Sequence, residues 1–381
     1  MSETTQAGTT QAETTLSTID ALDARLTQMD TAGPRFDDAT TEGAFAFKYT
    51  CKALEAHYPF LVLGLQEKLA GIDAELFRKL EALGRVGVPE TDFAIPYVSS
   101  EFAEEALAYV LKKPVPIVVK GGATGSQADE TWTPSFFKTN YGDYELPLAK
   151  GKVQDAKGTI AQVVEDIESG TERGHYVHNV ANFFNEHREL EDQLPIKQFM
   201  EYVAPANLFG CQLFMGGAKT GTSWHHASGW NFFFNVYGEK QWFMAHPTMT
   251  PWIYGRMHPS GSAGMTKVDH NKPARAQIAK FPLYRHVPVY SIVLQPGDVL
   301  VVPPWWWHAI TNISSATIAV STRWLNFQSP NTTPILRLAQ GLMPGFQEFE
   351  KEAMEQQQEF RIRDKYIRDT YDNAAFRSDA P

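Results

Sequence analysis

The stretch from Leu208 to about Leu325 constrains the fold most. It consists of short aromatic and β-branched runs: Trp230 to Val236, Gln241 to Ala245, Tyr290 to Leu294, Val299 to Val302 and Ala316 to Ser321. Glycine and proline turns break them apart. Runs this short suit strands, and many short strands joined by tight turns close into a sandwich or a barrel. No internal repeat with a period of about 20 to 50 residues is visible, which argues against a solenoid.

The flanks read differently. Residues 1–17 are polar and low in complexity, and are expected to be disordered. Residues 18–90 form a helical N-terminal extension by their apolar spacing. Leu22, Leu26 and Met29 recur at helical intervals, as do Leu76, Leu80 and Leu83, with Gly84 as the stop. Phe102 to Leu111 reads as a short helix and Pro114 to Lys120 as a strand. Thr133-Pro134 opens another helix, with threonine as cap and proline in the first turn. A strand-rich domain is expected over 91–330, and a C-terminal helical region over 331–381.

Composition narrows the function classes. The chain has 381 residues and a net charge of −10, which disfavours nucleic acid as a partner, because phosphate binding needs a basic face. An acidic surface favours cationic ligands, so a lysine- or arginine-like amine is one expected substrate type. The two cysteines, Cys51 and Cys211, lie far apart and lack metal-site spacing. They read as free thiols in a reducing compartment, hence a cytoplasmic protein. Met1 to Thr15 lack the apolar core of a signal peptide, and no apolar run is long enough to span a bilayer.

The chemistry is concentrated in two segments. The first runs Gly221-Thr-Ser-Trp-His-His-Ala-Ser-Gly-Trp-Asn231 and continues to Gly238-Glu-Lys240. The second runs Pro296-Gly-Asp-Val-Leu-Val-Val-Pro-Pro-Trp-Trp-Trp-His308. His225 and His308 each sit at the end of a strand-like run, and neutral imidazole is a good ligand for divalent iron. Side chains alternate along a strand, so Ala227 shares the face of His225 while His226 points away. A lysine aimed into a barrel is costly unless an anion meets it, so Lys240 calls for an acidic ligand, with Thr222 and Asn231 as further donors. Taken singly these residues are unremarkable. A strand histidine is usually just a satisfied side chain, Lys240 alone reads as a turn lysine, and Trp305 to Trp307 read as core. Their joint occurrence in this order is what points to a site.

At these residues the sequence resembles the Jumonji-C and cupin-like 2-oxoglutarate oxygenases, above all their protein hydroxylases. Thr222, His225, Asn231, Gly238, Lys240, Pro296, Gly297, Asp298, Pro303, Trp306, Trp307 and His308 match that pattern. So do Lys113 to Gly122, Phe136 to Asp143 and Tyr176. The resemblance implies a mainly β fold with flanking helices around a double-stranded β-helix (jelly-roll or cupin) core. It implies Fe(II) on His225 and His308, and 2-oxoglutarate on Lys240, Thr222, Asn231 and Tyr176, with O2 as oxidant. It also implies a homodimer through residues 331–381.

The sequence departs from the family at one position. The carboxylate ligand two residues after the first histidine is replaced by Ala227. Three readings follow. Chloride takes that ligand position, with Ala227 and Ser228 beside it, and the enzyme halogenates an aliphatic C–H, as in related His-x-Ala halogenases. Alternatively the site hydroxylates with two histidines, or the protein binds a ligand without catalysis. A deliberate change from Asp to Ala would read the same way. Trp224, Trp230, Trp305, His178 and Arg323 are the expected substrate-lining residues. The substrate is a small molecule, amino-acid-like, or a peptide.

Overall fold

The computed structural model describes residues 15–31, 39–55, 65–82, 93–150, 153–203, 207–258, 261–325, 343, 345–348 and 351. From Asn207 onward the chain shuttles between two sheets. Strands Asn207–Gly217, Trp230–Tyr237, Val299–Val302 and Ala316–Leu325 belong to a ten-stranded sheet. Strands Gly221–Ala227, Lys240–Ala245, Tyr290–Leu294 and Trp307–Asn312 belong to a seven-stranded one. The chain crosses from one sheet to the other after most strands, and this winding is the double-stranded β-helix of a cupin or jelly roll. The pairings are antiparallel, with Trp230–Tyr237 held between Val299–Val302 and Ala316–Leu325.

Local chemistry explains the corners. Gly238 (φ 71°) turns the chain between two strands, and a Cβ there would meet the carbonyl oxygen of Ala316 at 2.0 Å. The Pro-Gly-Asp turn works through Asp298. Its carboxylate accepts from Gln295 N at 3.0 Å and from Gly121 N at 3.1 Å, which ties the turn to the loop after strand Ile117–Val119. Burial pushes the Asp298 carboxyl upward, and these bonds offset only part of that.

Helices flank the barrel. Ile19–Thr31, Ala39–Glu55 and Gln66–Ala82 form the N-terminal extension. Leu22, Leu26 and Met29 are fully buried, and the Tyr290 hydroxyl donates to the carbonyl of Met29 at 2.8 Å. The helix expected after Phe102 runs Ala103–Val110. The Thr133 hydroxyl caps Pro134–Tyr141 by accepting from Phe136 N. Of residues 1–17, expected to be disordered, Thr15–Leu16 instead pair in parallel with Tyr97–Val98; the first fourteen lie outside the described residues. The Gly84 stop also lies outside them, as does most of 331–381 with its expected dimer contact. Met343 packs against Met257 and Trp305. Among the described residues no helix is long and apolar enough to cross a membrane.

Candidate functional site

One cavity inside the barrel is lined by Tyr176, Phe214, Thr222, His225, Asn231, Phe233, Trp242, His308, Ile310 and Arg323. Strand alternation supplies His308, Ile310 and Trp242, while Lys240, Met244 and Asn312 share their face without lining the cavity. In Trp307–Asn312, residues 308, 310 and 312 pair with Met244, Trp242 and Lys240 on the neighbouring strand, so all six share one register face. His308 also pairs directly with His225, and their ring centroids lie 4.1 Å apart.

Thr222 and His225 are three residues apart, so a regular strand would point them to opposite faces. The ladder slips between them: His225 pairs with His308 but Thr222 pairs with Ile310. Ser223 and Trp224 together oppose Ala309. This bulge brings Thr222 and His225 to the cavity and turns Trp224 away. Trp224 packs on the far side of the sheet with Trp252, Trp307 and Ala309. It does not line the cavity.

The imidazole protonation pattern follows from the hydrogen bonds. Nδ1 of His225 lies 2.8 Å from the carbonyl oxygen of Ser223, and Nδ1 of His308 lies 2.8 Å from that of Trp306. A carbonyl only accepts, so both Nδ1 atoms carry the proton, and in the neutral rings both Nε2 lone pairs are free. Burial keeps the rings neutral. It lowers His225 to about 3 and takes His308 well below its ordinary value, the two rings also opposing each other's charge. Trp242 stacks on His308 at 5.5 Å and 24°.

His226 takes the other face. Its ring stacks on Trp307 at 4.0 Å and Nδ1 donates to the carbonyl of Trp305. Trp305, at φ 68°, also donates its N–H to the carbonyl of Ala227 at 2.7 Å. This latch fastens the loop before His308 to the strand of His225. Trp305 itself lies in a side cluster with Met257, away from the cavity.

Lys240 is fully buried, not a turn lysine in solvent. Its ammonium donates to Asn312 Oδ1 at 2.7 Å and Thr317 Oγ1 at 3.0 Å, and lies 5.9 Å from the centre of the Tyr176 ring. Both acceptors are neutral, and desolvation lowers the lysine to about 7. Asn312 is hydrogen-bonded to the Tyr176 hydroxyl and donates to Thr220 Oγ1. Asn231 accepts from Ser321 Oγ at 2.7 Å.

Other expected residues fall outside. Trp230 sits in the main core, because its neighbour Asn231 takes the inward direction. Ser228 lies just past the end of its strand, its N–H bonded to Ser262, and does not line the cavity. His178 is not among the lining residues; it stacks on Tyr176 at 5.9 Å and meets Phe214 edge-on at 5.6 Å. Arg323 lines the cavity, with Nε donating to Gln212 Oε1 at 3.0 Å. Among the described residues no aspartate or glutamate lines the cavity, so the expected cationic amine finds no acid among them. Neither Asp269 nor Glu239 reaches it, and among the described residues no cluster of three or more His, Cys, Asp or Glu could hold a metal. Sequence reasoning missed Phe214, Phe233, Trp242, Ile310 and Asn312. Counting by twos from His308 and Lys240 identifies the last three.

Comparison with known proteins agrees with this architecture. The chain is 32% identical over 111 residues to the zebrafish HSPB1-associated protein 1 homolog, covering 29% of this chain and 24% of that protein. It is 30% identical over 118 residues to human HSPB1-associated protein 1, covering 30% and 23%. It is 24% identical over 242 residues to the Arabidopsis thaliana lysine-specific demethylase JMJ21, covering 59% and 24%. These matches thus span about a quarter of each curated relative. The cupin-like domain model matches residues 103–329, well over half of the sequence. With that match and the wound two-sheet barrel, the chain belongs to the cupin-like domain family.

Proposed function

We propose that this cavity is an Fe(II)- and 2-oxoglutarate-dependent oxidising centre in which a halide completes the metal shell, so that the protein halogenates an aliphatic C–H bond. The observation that carries the reading is the pairing of His225 with His308, both Nε2 atoms free, with an alanine, Ala227, two residues beyond His225 on the same strand where an acid could have ligated.

The residues fit the groups this needs. Two neutral imidazoles with committed Nδ1 protons are suitable iron donors. Lys240 spends two of its three N–H bonds on neutral oxygens, which leaves one for a carboxylate. Thr222 Oγ1 and Trp242 Nε1 are buried without partners, and both residues line the cavity. A diacid held at Lys240 would satisfy such donors. When bound, metal and diacid supply the oxidising power: O2 takes two electrons from decarboxylation of 2-oxoglutarate to succinate and two from the substrate, as R–H, chloride and a proton become R–Cl and water.

Charge favours an exogenous anion over water. A divalent metal, a dianionic oxoglutarate, the Lys240 ammonium and the Arg323 guanidinium sum to two positive charges. A protein carboxylate would cancel one of them, and Ala227 has none to offer. An uncompensated buried charge is expensive, so a monovalent anion is the favoured occupant. Hydroxylation or demethylation of a protein substrate is the second reading. It is supported by the resemblance to JMJ21 and to the arginine-specific demethylase JMJ20.

The test is to load the protein anaerobically with Fe(II). It is then supplied with 2-oxoglutarate, O2 and a soluble extract, in chloride or in bromide medium. Small molecules and peptides are analysed by mass spectrometry. The proposal expects a product whose mass changes with the anion. A product gaining oxygen in both media supports the second reading, and absence of any oxoglutarate consumption refutes both.

A further inference from the structure

We infer that Arg323, steadied by Gln212, forms a second anion site in the cavity, which recognises the carboxylate of an otherwise apolar substrate acid. The inference rests on the proposed oxoglutarate site, because that site accounts for Lys240 and leaves Arg323 without a counter-ion among the described residues.

Four observations carry it. Arg323 is one of the cavity-lining residues and stands directly opposite Asn231 on the neighbouring strand. Its one hydrogen bond among the described residues is from Nε to a neutral amide, so the outer edge of the guanidinium keeps its N–H donors. Among the described residues no acid lines the cavity to pair with it. A guanidinium edge of this kind matches the two oxygens of a carboxylate. The two cations are also held at different levels. The Lys240 ammonium is bonded to Thr317, whereas Gln212, which anchors Arg323, pairs with Ser321. Four strand positions separate these levels, about 13 Å.

The surroundings specify the rest of the ligand. Phe214 and Phe233 line the same cavity with ring centroids 5.7 Å apart, and Phe233 meets Trp242 at 4.7 Å. These rings suit an aliphatic or aryl body. The lack of a lining carboxylate disfavours an ammonium group. The substrate class is therefore a monocarboxylic acid with an apolar chain, held by its acid group at Arg323 so that its C–H bonds lie among the aromatic rings near the imidazoles.

The test uses the full chain loaded with Mn(II), which avoids turnover, and saturated with 2-oxoglutarate. Butanoic, hexanoic, octanoic and 3-phenylpropanoic acids are titrated calorimetrically, alongside their amides, the corresponding amines and inorganic phosphate. The inference expects at least one acid to bind, with its amide and amine at least tenfold weaker. Arg323→Gln should weaken that acid at least tenfold, Arg323→Lys should recover only part of it, and oxoglutarate affinity should stay within twofold. Any of the following overturns it: no acid binds, the amides or amines bind as well, phosphate binds in place of the acids, or Arg323→Gln costs oxoglutarate instead. If the wild type takes up no oxoglutarate, the proposed function falls, and the acid titration repeated on the metal-loaded protein still decides the role of Arg323.

Discussion

Titrating Lys240 provides a quantitative test of how the cavity holds its acid. The ammonium is fully buried with two neutral acceptors, and desolvation lowers it to about 7 from an ordinary 10.5. At about 1.4 kcal/mol per pH unit, that burial costs about 5 kcal/mol. A diacid binds the ammonium form, and above pH 7 the free protein progressively loses that form. The dissociation constant of 2-oxoglutarate should then rise towards tenfold per pH unit, about 50-fold or about 2.3 kcal/mol between pH 7 and pH 9. The imidazoles do not contribute, since burial holds His225 at about 3 and His308 also well below its ordinary value, so both stay neutral throughout. Folding responds in the opposite direction. Between the folded and unfolded lysine values the unfolded chain binds the extra proton, so ligand-free stability rises with pH across about 7 to 10.5, and the penalty is fully present below 7. The assay is calorimetric titration of oxoglutarate into Mn(II)-loaded protein from pH 6 to 9, for wild type and Lys240→Met. The variant should lose both the binding and the slope. An affinity that is flat over this range, or a variant that binds like wild type, refutes the reasoning.

Three other substitutions separate the roles of the neighbouring residues. Ala227→Asp should restore a third protein ligand, tightening Fe(II) binding by direct titration and removing any dependence of the product on bromide. Thr222→Val removes a buried hydroxyl that has no partner in the free protein. It should leave melting unchanged or slightly raised, while weakening oxoglutarate about five- to tenfold, the worth of about one hydrogen bond. His226→Ala removes a ring stacked on Trp307 and bonded to Trp305. It should cost about 2 to 4 kcal/mol in urea unfolding with metal affinity kept, as a large-to-small change in packed surroundings.

How much of this was legible in the sequence varies residue by residue. The barrel was, because short β-branched runs between glycine and proline turns leave few alternatives, and Gly238 and Gly297 do adopt positive φ. The grouping of His225, His308, Thr222, Asn231, Tyr176 and Arg323 around one cavity was also anticipated. Trp224 was not placed correctly, because the bulge at Ser223 and Trp224 is a property of the pairing with Ala309 on a distant strand, and single-strand periodicity carries no trace of it. Trp230 is a different case, since alternation with Asn231 already excludes it from the cavity. Asn312, the partner of Lys240, was hidden because a contact 72 residues away depends on register. The expectation of a cationic substrate follows from net charge, which reports on the whole surface and not on a cavity lined, among the described residues, by an arginine and no acid.

The central claim is that two imidazoles hold a metal whose remaining shell is open to a small anion beside Ala227. The most direct measurement is a crystal structure grown anaerobically with Fe(II), 2-oxoglutarate and bromide, with anomalous data collected at the iron and bromine edges. The account predicts an iron peak between His225 and His308 and a bromine peak on the Ala227 side of it. Iron bound elsewhere, or a protein oxygen occupying the position next to Ala227, would contradict it.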